Sequence, residues 1–495
     1  MRKMKNGLTV LCLAAVLGGC MKDGMMLPGM YLDMSEKALN QEPGQAEEPG
    51  DRFNEIVENP FIQVSQEPKS TFSVDADGAA YAYFRRMVKM GRLPSPGAVR
   101  IEEYLNYFTF DYPDPASGET LALNAETGTC PWNPAHLLLR LGLKGKPMSP
   151  QETPRANFVF LIDTSGSMSS DDKLPLLKSC LLNMLDGMDA EDQVAIVTYA
   201  GTSEILLKPT RVRDSDKIAR AIRKLKAAGS TNGGDALRDA YKLALDSYVE
   251  GGNNRIIMGT DGDFNVGVTS VEDLLEIVES NAKQGIYLTA CGFGTGNLND
   301  AMMEEVSNHG NGTYEYIDSE DEMMKVFVHE RNRFVAVAND TKVQLSFNPA
   351  VVDSYRLIGY ENRVMDNEDF EDDGKDAGEI GAGQTITALY ELIPVASVPS
   401  GEACCTFDVR YKNTLRSASG TLSLDVPLEP AMSANLSFAA GIAALGMTLR
   451  NSAYKGDASL DLAARLVTEA LSFDPNSYRA QLLELIRSAQ KIDRQ

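Results

Sequence analysis

The stretch LIDTSGSMSS, residues 161–170, marks the point where a buried strand meets a polar loop. An apolar run at residues 158–162 comes directly before Asp163, and small or hydroxyl-bearing residues follow it. A short apolar run that ends in turn residues is typical of a strand buried on both faces of a parallel sheet. The carboxylate of Asp163 is therefore predicted to stand at the carboxyl end of a central strand.

The chain on either side of this strand alternates apolar runs with amphipathic segments over residues 155–325. Leu174, Leu177, Leu181 and Met184 recur at the spacing of one helix face. Ser270, followed by acidic residues, is predicted to cap a helix over residues 270–283. The segments DQVAIVTYAG and SEILLKPTRV, which follow, are typical of a hairpin that adds one antiparallel edge strand. The pattern predicts an α/β fold with a doubly wound, mostly parallel sheet and helices on both faces.

The flanking regions have a different periodicity. Residues 119–150 and 330–430 alternate apolar and polar side chains, which predicts an antiparallel β-sandwich into which the α/β domain, residues 151–329, is inserted. Residues 61–118 are interpreted as an N-terminal α+β region, whose second helix is predicted to begin near Pro96. Residues 431–495 have helical spacing and are predicted to form a small C-terminal helical region.

The N-terminus has the anatomy of a targeting segment. Basic residues precede a short apolar stretch, and the sequence LGGC then ends at Cys20. This ending resembles a bacterial lipobox, which implies a signal peptide over residues 1–19 and a lipid on Cys20. Residues 20–60 are rich in Glu, Gln, Pro and Gly, so they are predicted to be a flexible tether. The expected location is the bacterial cell envelope, with the protein anchored to the outer membrane and facing the periplasm or the surface.

The overall charge excludes one class of partner. The formal net charge is -23, so the chain would repel the phosphate backbone that supplies most nucleic-acid affinity. The cysteines beyond Cys20 have no metal-ligand spacing and no C-x-x-C pair. They are interpreted as small buried residues, and the sequence leaves any disulfide pairing open.

Oxygen-bearing residues gather at the predicted strand ends. Ser165 and Ser167 follow Asp163, the loop GSTNGG at 229–234 carries Thr231, and the segment GTDGDFN at 259–265 carries Asp261. Ligands of doubly wound folds sit outside the carboxyl ends of the strands, where these loops are expected to meet. Carboxylate and hydroxyl oxygens are ligands for a small hard dication.

The three motifs together resemble the metal-ion-dependent adhesion site of von Willebrand factor type A domains. That site combines D-x-S-x-S, G-x-T-x-x-G and T-D-G in this order. The resemblance implies that Asp163, Ser165, Ser167, Thr231 and Asp261 hold Mg²⁺, for which Mn²⁺ can substitute. It also implies one coordination position left for an Asp or Glu side chain of a protein partner. Phrases such as VRIEEYLNYF at 99–108 resemble a bacterial lipoprotein branch of the same family.

The function that this resemblance implies is non-enzymatic. It is that of a membrane-anchored, metal-dependent binding module that captures an acidic group on a protein. The alternative is a structural or assembly component of the envelope whose partner docks on the β-sandwich or the C-terminal helices. No histidine lies in a nucleophile motif, which gives little support to catalysis.

Three other motifs in the sequence resemble sites of a different kind. GSTNGG resembles a phosphate loop but has Asp235 where a lysine is needed. Asp235 either adds a third charge near the ion or caps a helix, and the cap is favoured. GFGTGN at 292–297 lacks the last glycine of a dinucleotide fingerprint. The segment DFEDDGKDAGEI at 369–380 resembles a calcium loop but ends in Ile380 instead of Glu, so a solvated acidic loop is favoured.

Overall fold

The structure is a computed structural model and describes residues 50–74, 77–149, 151–229, 235–262, 270–398 and 401–494. The strands of these residues are β1 (Ile62–Gln63), β2 (Lys69–Ser73), β3 (Leu121–Thr129), β4 (Leu137–Gly145), β5 (Ala156–Asp163), β6 (Gln193–Tyr199), β7 (Ser203–Arg211), β8 (Asn253–Thr260), β9 (Ile286–Phe293), β10 (Tyr314–Ile317), β11 (Ala336–Phe347), β12 (Val352–Ile358), β13 (Val364–Met365), β14 (Gly378–Gly381), β15 (Thr385–Pro394), β16 (Ala403–Lys412) and β17 (Ser419–Pro427).

The α-helices of the described residues are α1 (Ala79–Lys89), α2 (Ile101–Asn106), α3 (Leu174–Leu185), α4 (Ser215–Lys224), α5 (Ala236–Asp246), α6 (Val271–Ala282), α7 (Asp300–His309), α8 (Glu320–Met324), α9 (Ala434–Arg450), α10 (Leu460–Glu469) and α11 (Tyr478–Asp493). No helix in this described part of the chain is both long enough and apolar enough to cross a bilayer.

Six strands form the predicted α/β sheet, in the order β10-β9-β8-β5-β6-β7. All neighbours in this sheet are parallel except β7, which pairs antiparallel with β6 at the edge. The prediction of a mostly parallel sheet with one antiparallel edge strand is confirmed. The chain proceeds from β5 to β6 on one side and later returns to β8 on the other, so the strand order reverses at β5.

Alternate residues of β5 pack against helices on opposite faces of this sheet. Val159 and Leu161 share a core cluster with residues of α5 and α6, whereas Phe160 and Ile162 share one with residues of α3 and α4. Every residue of β5 is buried, as expected for a strand covered on both sides. Because helices pack on both faces of β5, the position and direction of the strand end that carries Asp163 are fixed.

The antiparallel strands form two further sheets. One has the order β1-β12-β15-β4-β3, and the other has the order β13-β2-β11-β16-β17, with β14 paired to β11. Side chains of both sheets share one core, for example Leu141 of β4 and Val343 of β11. The chain leaves the first sheet through β4, forms the α/β sheet, and enters the second sheet through β11. The first two strands of the chain, β1 and β2, join one sheet each.

The C-terminal helices pack with the N-terminal ones in a single cluster. Tyr104, Tyr107 and Phe108 are buried in this cluster, so the aromatic group of residues 61–118 serves packing. The helix that the sequence suggested would begin near Pro96 begins at Ile101 instead. The intervening Val99 and Arg100 have extended ψ angles, which separate a short turn at Pro96–Ala98 from the helix proper.

A buried ionic cluster joins α1 to α8. The Arg85 guanidinium donates to both carboxylate oxygens of Asp318 and to Glu322 at 2.7 Å. Arg85 also donates to the Tyr107 hydroxyl at 2.7 Å, and that hydroxyl donates to Glu322 at 2.6 Å. Lys89, which is mostly exposed, adds a second cation 3.8 Å from Asp318. We refer to this group of five residues as the Arg85 cluster.

The described chain begins against the α/β sheet. The Asp51 carboxylate accepts hydrogen bonds from the backbone N–H groups of Gly296 at 2.6 Å and Leu298 at 3.1 Å. The backbone N–H of Arg52 donates to the carbonyl of Leu298 at 2.8 Å. Gly296 and Leu298 belong to the loop that follows β9, so this end of the chain lies at the carboxyl edge of the parallel strands.

Candidate functional site

Asp163 and Asp261 lie at the carboxyl ends of adjacent strands. Asp163 is the last residue of β5, and Asp261 directly follows β8. The two strands pair in parallel up to Ile162 and Gly259, so both side chains reach the same edge of the sheet. This edge lies where the strand order reverses, which is the position at which doubly wound sheets bind ligands.

The Asp163 carboxylate is held by its own loop and by β8. Its Oδ1 accepts from the backbone N–H of Ser165 at 2.7 Å, and the hydroxyl of Thr260 donates to its Oδ2 at 3.4 Å. Burial raises the pKa of Asp163 to about 6, against the lowering effect of the Ser165 hydrogen bonds, and the charge of Asp261 raises it further. Hydrogen bonds thus orient the Asp163 carboxylate, but no positively charged side chain of the described residues pairs with it to stabilise its ionised form.

The two serines place their hydroxyls side by side. The Oγ atoms of Ser165 and Ser167 are 2.9 Å apart. Ser165 is buried and Ser167 is exposed, because a tight helical turn over Gly166–Ser169 carries the chain outward. The pair therefore leads from the buried Asp163 to the surface, which leaves the site accessible from solvent.

Asp261 has a partner that the sequence did not indicate. The Lys173 ammonium nitrogen lies 2.7 Å from Asp261 Oδ2, and the two side chains are only 10% and 0% exposed. The other oxygen, Oδ1, is buried and has no hydrogen-bond partner among the described residues. Lys173 occupies the N-cap position of α3, where the helix dipole disfavours a cation. A lysine at a helix N-terminus is unusual, and this is the sequence signal from which a buried partner for Lys173 could have been predicted.

Gly262 keeps Asp261 close to the neighbouring loop. Its φ is +113°, and a Cβ there would lie 2.3 Å from the carbonyl oxygen of Asn297. Any other residue would be strained in this conformation and would push the two loops apart. The backbone conformation and the close approach of the two loops thus require the glycine of the T-D-G motif.

The predicted ligand Thr231 lies outside the described residues, as does the rest of 230–234. The chain that leads to this loop runs beside the Asp163 loop. The backbone N–H of Ala228 donates to the Thr164 carbonyl at 2.8 Å, and the carbonyl of Gly229 is 3.8 Å from the place of a Cβ on Gly166. Asp235 does stand at the N-cap position of α5, but its side chain makes no capping hydrogen bond, so the predicted cap is wrong.

The donor set at this edge fits a small hard cation. The site offers two carboxylates, one of which has an oxygen without a described partner, and two hydroxyls. Mg²⁺ and Mn²⁺ take such oxygen ligands together with water. In the described residues, no group of three or more His, Cys, Asp and Glu side chains could hold a metal ion. A cation at this edge would therefore depend on the serine hydroxyls.

The acidic loop at 369–380 is linked to nearby basic residues. Arg410 donates to Glu371 at 3.0 Å and to Asp373 at 2.9 Å. The ammonium of Lys412 donates to the backbone carbonyl of Asp373 at 3.0 Å. These contacts use oxygen atoms that a calcium ion would need, in agreement with a solvated acidic loop.

Three family models match successive parts of the chain. Residues 47–140 match the model described as von Willebrand factor, and residues 157–329 match the von Willebrand factor type A domain. Residues 332–492 match the model described as uncharacterized protein YfbK, C-terminal. Domains of the type A family generally mediate protein–protein interactions and are typically not enzymes.

Individual proteins extend this comparison. The chain is 39% identical over 472 residues to the uncharacterized protein YfbK of Escherichia coli, covering 89% of this chain and 81% of the relative. It is 30% identical over 188 residues to the human inter-alpha-trypsin inhibitor heavy chain H3, covering 36% of this chain and 20% of that one. A von Willebrand factor type A structure from Catenulispora acidiphila has a TM-score of 0.43 at 14% identity, covering 77% and 91% of the two chains.

The YfbK match spans the α/β sheet and both flanking regions, and the type A model covers the residues that form the candidate site. The chain therefore belongs to the YfbK family of proteins with a von Willebrand factor type A domain.

Proposed function

We propose that the protein is a binding module that captures an acidic side chain of a protein partner through a bound Mg²⁺ ion. The observation that carries this proposal is the arrangement of Asp163, Ser165 and Ser167 at the reversal point of the sheet. Their oxygens lead from a buried carboxylate to an exposed hydroxyl. Asp261 supplies the second carboxylate, and Thr231 is proposed as the remaining ligand.

Each residue has a distinct part in this site. The Ser165 N–H and the Thr260 hydroxyl orient the Asp163 carboxylate, so the oxygens face the edge before any cation arrives. Ser165 and Ser167 are neutral ligands that add no negative charge beyond the two carboxylates, so a bound ion would stay electrophilic. A bound Mg²⁺ would supply the Lewis-acidic position to which the partner's carboxylate binds. Ser167, which is exposed, marks the side from which the partner approaches.

The lipid anchor is part of the same proposal. The basic, apolar and small-residue segments that end at Cys20 support a signal peptide at residues 1–19 and lipidation of Cys20. The protein would then act at a membrane of the bacterial cell envelope, with the outer membrane as the proposed one. Replacement of Cys20 by serine should abolish incorporation of labelled fatty acid and release the protein from the membrane fraction. Unchanged labelling of the Cys20→Ser protein would contradict the anchor.

A capture experiment tests the binding function. The tagged full chain would be isolated from the envelope in mild detergent, in Mg²⁺ and in EDTA, and the captured proteins quantified by mass spectrometry. Asp163→Ala removes the oriented carboxylate, while Asp461→Ala removes a mostly exposed carboxylate of α10 and serves as the matched control. We expect a partner that is lost in EDTA and with Asp163→Ala but kept with Asp461→Ala.

The opposite result has a defined meaning. We refer to the sheet edge formed by Asp163, Ser165, Ser167 and Asp261 as the metal edge. A partner that stays bound in EDTA and to the Asp163→Ala protein would show that the contact does not pass through the metal edge. The binding surface would then lie on the β-sandwich or the C-terminal helices, as the structural or assembly alternative requires.

A further inference from the structure

Among the described residues, Lys173 is the only basic side chain that forms an ion pair with either candidate carboxylate, Asp163 or Asp261. Its ammonium nitrogen is 2.7 Å from Asp261, and the residue is 8% exposed. Burial of a lysine is costly unless its charge is paired. Its location therefore requires a compensating carboxylate, which is one of the two on which the proposed Mg²⁺ depends.

The structure contains a slot for the lysine side chain. Gly294 follows β9 with a φ of +73°, and a Cβ there would lie 2.4 Å from Cε and 2.8 Å from Cγ of Lys173. The Tyr316 hydroxyl donates to the Gly294 carbonyl at 2.6 Å and holds the loop in place. Gly294 belongs to the GFGTGN segment that resembled a dinucleotide fingerprint, and the slot gives this glycine a physical reason.

Charge balance makes this lysine consequential for metal binding. Asp163 and Asp261 supply two carboxylates, and the ammonium group of Lys173 already engages one oxygen of Asp261. A dication held by the same two carboxylates would stand within a few ångströms of the ammonium and be repelled by it. The repulsion is weakly screened by salt, because the pair is buried.

We propose that Lys173 is an internal counter-ion that stabilises the metal-free site and lowers its affinity for divalent cations by competing for Asp261. This inference rests on the proposed function, since it concerns the same site. It also implies that a negatively charged partner offsets the lysine, so that the cation and an acidic ligand reinforce each other's binding.

Metal titration of variants tests the inference. Lys173→Gln removes the charge but can still donate a hydrogen bond to Asp261, and Lys173→Met is a second variant with a similar chain length. Lys283→Met removes an exposed lysine and is the matched control. Binding of Mn²⁺ alone to the full chain would be followed by the loss of the free-ion paramagnetic resonance signal. Melting temperatures would be recorded in EDTA.

We expect both Lys173 variants to bind Mn²⁺ about tenfold more tightly than the parent chain, because the repulsion is gone. Both should also melt at a lower temperature in EDTA, since Asp261 loses its counter-ion. Lys283→Met should change neither quantity. Equal or weaker Mn²⁺ affinity in the Lys173 variants, or an unchanged melting temperature in EDTA, would overturn the inference alone. Absence of Mn²⁺ binding in every chain would overturn the proposed function as well.

Discussion

The Arg85 cluster and the metal edge are both buried and ionic, yet they differ in how completely they are satisfied. In the Arg85 cluster, Arg85 and Lys89 face Asp318 and Glu322, and none of the buried side-chain atoms of these residues lacks a hydrogen bond in the described structure. At the metal edge, Lys173 pairs with Asp261 alone, and the other oxygen of Asp261 has no described partner.

This difference distinguishes a buried polar cluster that stabilises the fold from one that can bind a ligand. A satisfied buried cluster gives its stabilisation to the fold, and it has no unused group for a ligand. An unsatisfied one costs free energy in the empty protein and retains the capacity to bind. The Arg85 cluster joins α1 to α8, whereas the metal edge is open to solvent at Ser167. Removal of Arg85 from its cluster should therefore lower stability, whereas removal of the Asp163 carboxylate from the metal edge should raise it when metal is absent.

The largest effect is expected from Arg85→Met in the satisfied cluster. The change leaves the buried carboxylates of Asp318 and Glu322 without their main cation, which typically costs about 3–5 kcal/mol of folding free energy. Urea unfolding followed by circular dichroism would measure the loss. A loss below about 1 kcal/mol would show that the cluster is not structural.

Asp163→Asn at the metal edge should act in the opposite direction when metal is absent. The substitution removes a charge that is costly mainly because it is buried and also because Asp261 repels it, and it keeps an oxygen to accept from the Ser165 N–H. We expect a gain of roughly 1–2 kcal/mol in EDTA, because one pKa unit corresponds to about 1.4 kcal/mol. The same unfolding measurement, repeated in Mg²⁺, should show that the variant is no longer stabilised by the cation. Lower stability of the variant in EDTA would show that the Asp163 carboxylate stabilises the metal-free fold, as the carboxylates of the Arg85 cluster do.

Asp376 offers a third, pH-dependent case. Its carboxylate is partly desolvated although the residue is exposed overall. This desolvation, followed by the hydrogen bond and the charge of Asp340, raises the pKa of Asp376 to about 7. The folded state thus holds a proton that the unfolded chain releases near pH 4, so this carboxylate lowers stability as the pH rises from about 4 to about 7.

The matching variant is Asp376→Asn, which cannot ionise. Its melting temperature should equal that of the parent chain near pH 4 and exceed it at pH 8, as measured by differential scanning fluorimetry across this range. A difference that does not change with pH would mean that Asp376 ionises normally in the folded protein.

The smallest effect is expected from Arg465→Met in α10. Arg465 pairs with Glu469 one turn along the same helix, and both side chains are about half exposed. Such pairs contribute little, because water screens the charges and two flexible side chains must be ordered. We expect no measurable change in melting temperature. A loss comparable to that of Arg85→Met would show that pairing, and not burial, decides the contrast between the two regions.

The sequence was sufficient to predict the α/β sheet because its signals are local. The uninterrupted apolar run of β5, the amphipathic spacing of α3 and the N-cap Ser270 of α6 each lie within one short segment. The side chain of Ser270 accepts from the backbone N–H of Asp273 at 3.1 Å, as a capping residue does. Asp163 and Asp261 could be placed at the same sheet edge because each directly follows or ends a buried strand. Their ligation of a metal stays a prediction.

The remaining features depend on partners distant in sequence. Lys173 meets Asp261 across 88 positions, and Arg85 meets Asp318 across 233. Strand β1 pairs with β12, although only a two-residue segment marks it. Periodicity shows which face of a segment is buried but not which element buries it. The Asp235 cap was predicted from residue type alone, and its side chain does not make the capping bond.

The attachment of Asp51 to the loop after β9 affects how the protein would transmit a mechanical force. Any tension that reaches the folded part along the chain from its N-terminal side enters at Asp51, which is hydrogen-bonded to the loop at Gly296 and Leu298. This loop packs directly against Gly262, the residue after Asp261. A pulling force on a ligand at the metal edge would therefore be transmitted to Asp51 through only a few residues. The β-sandwich and the C-terminal helices would lie outside that path and would bear little of the force.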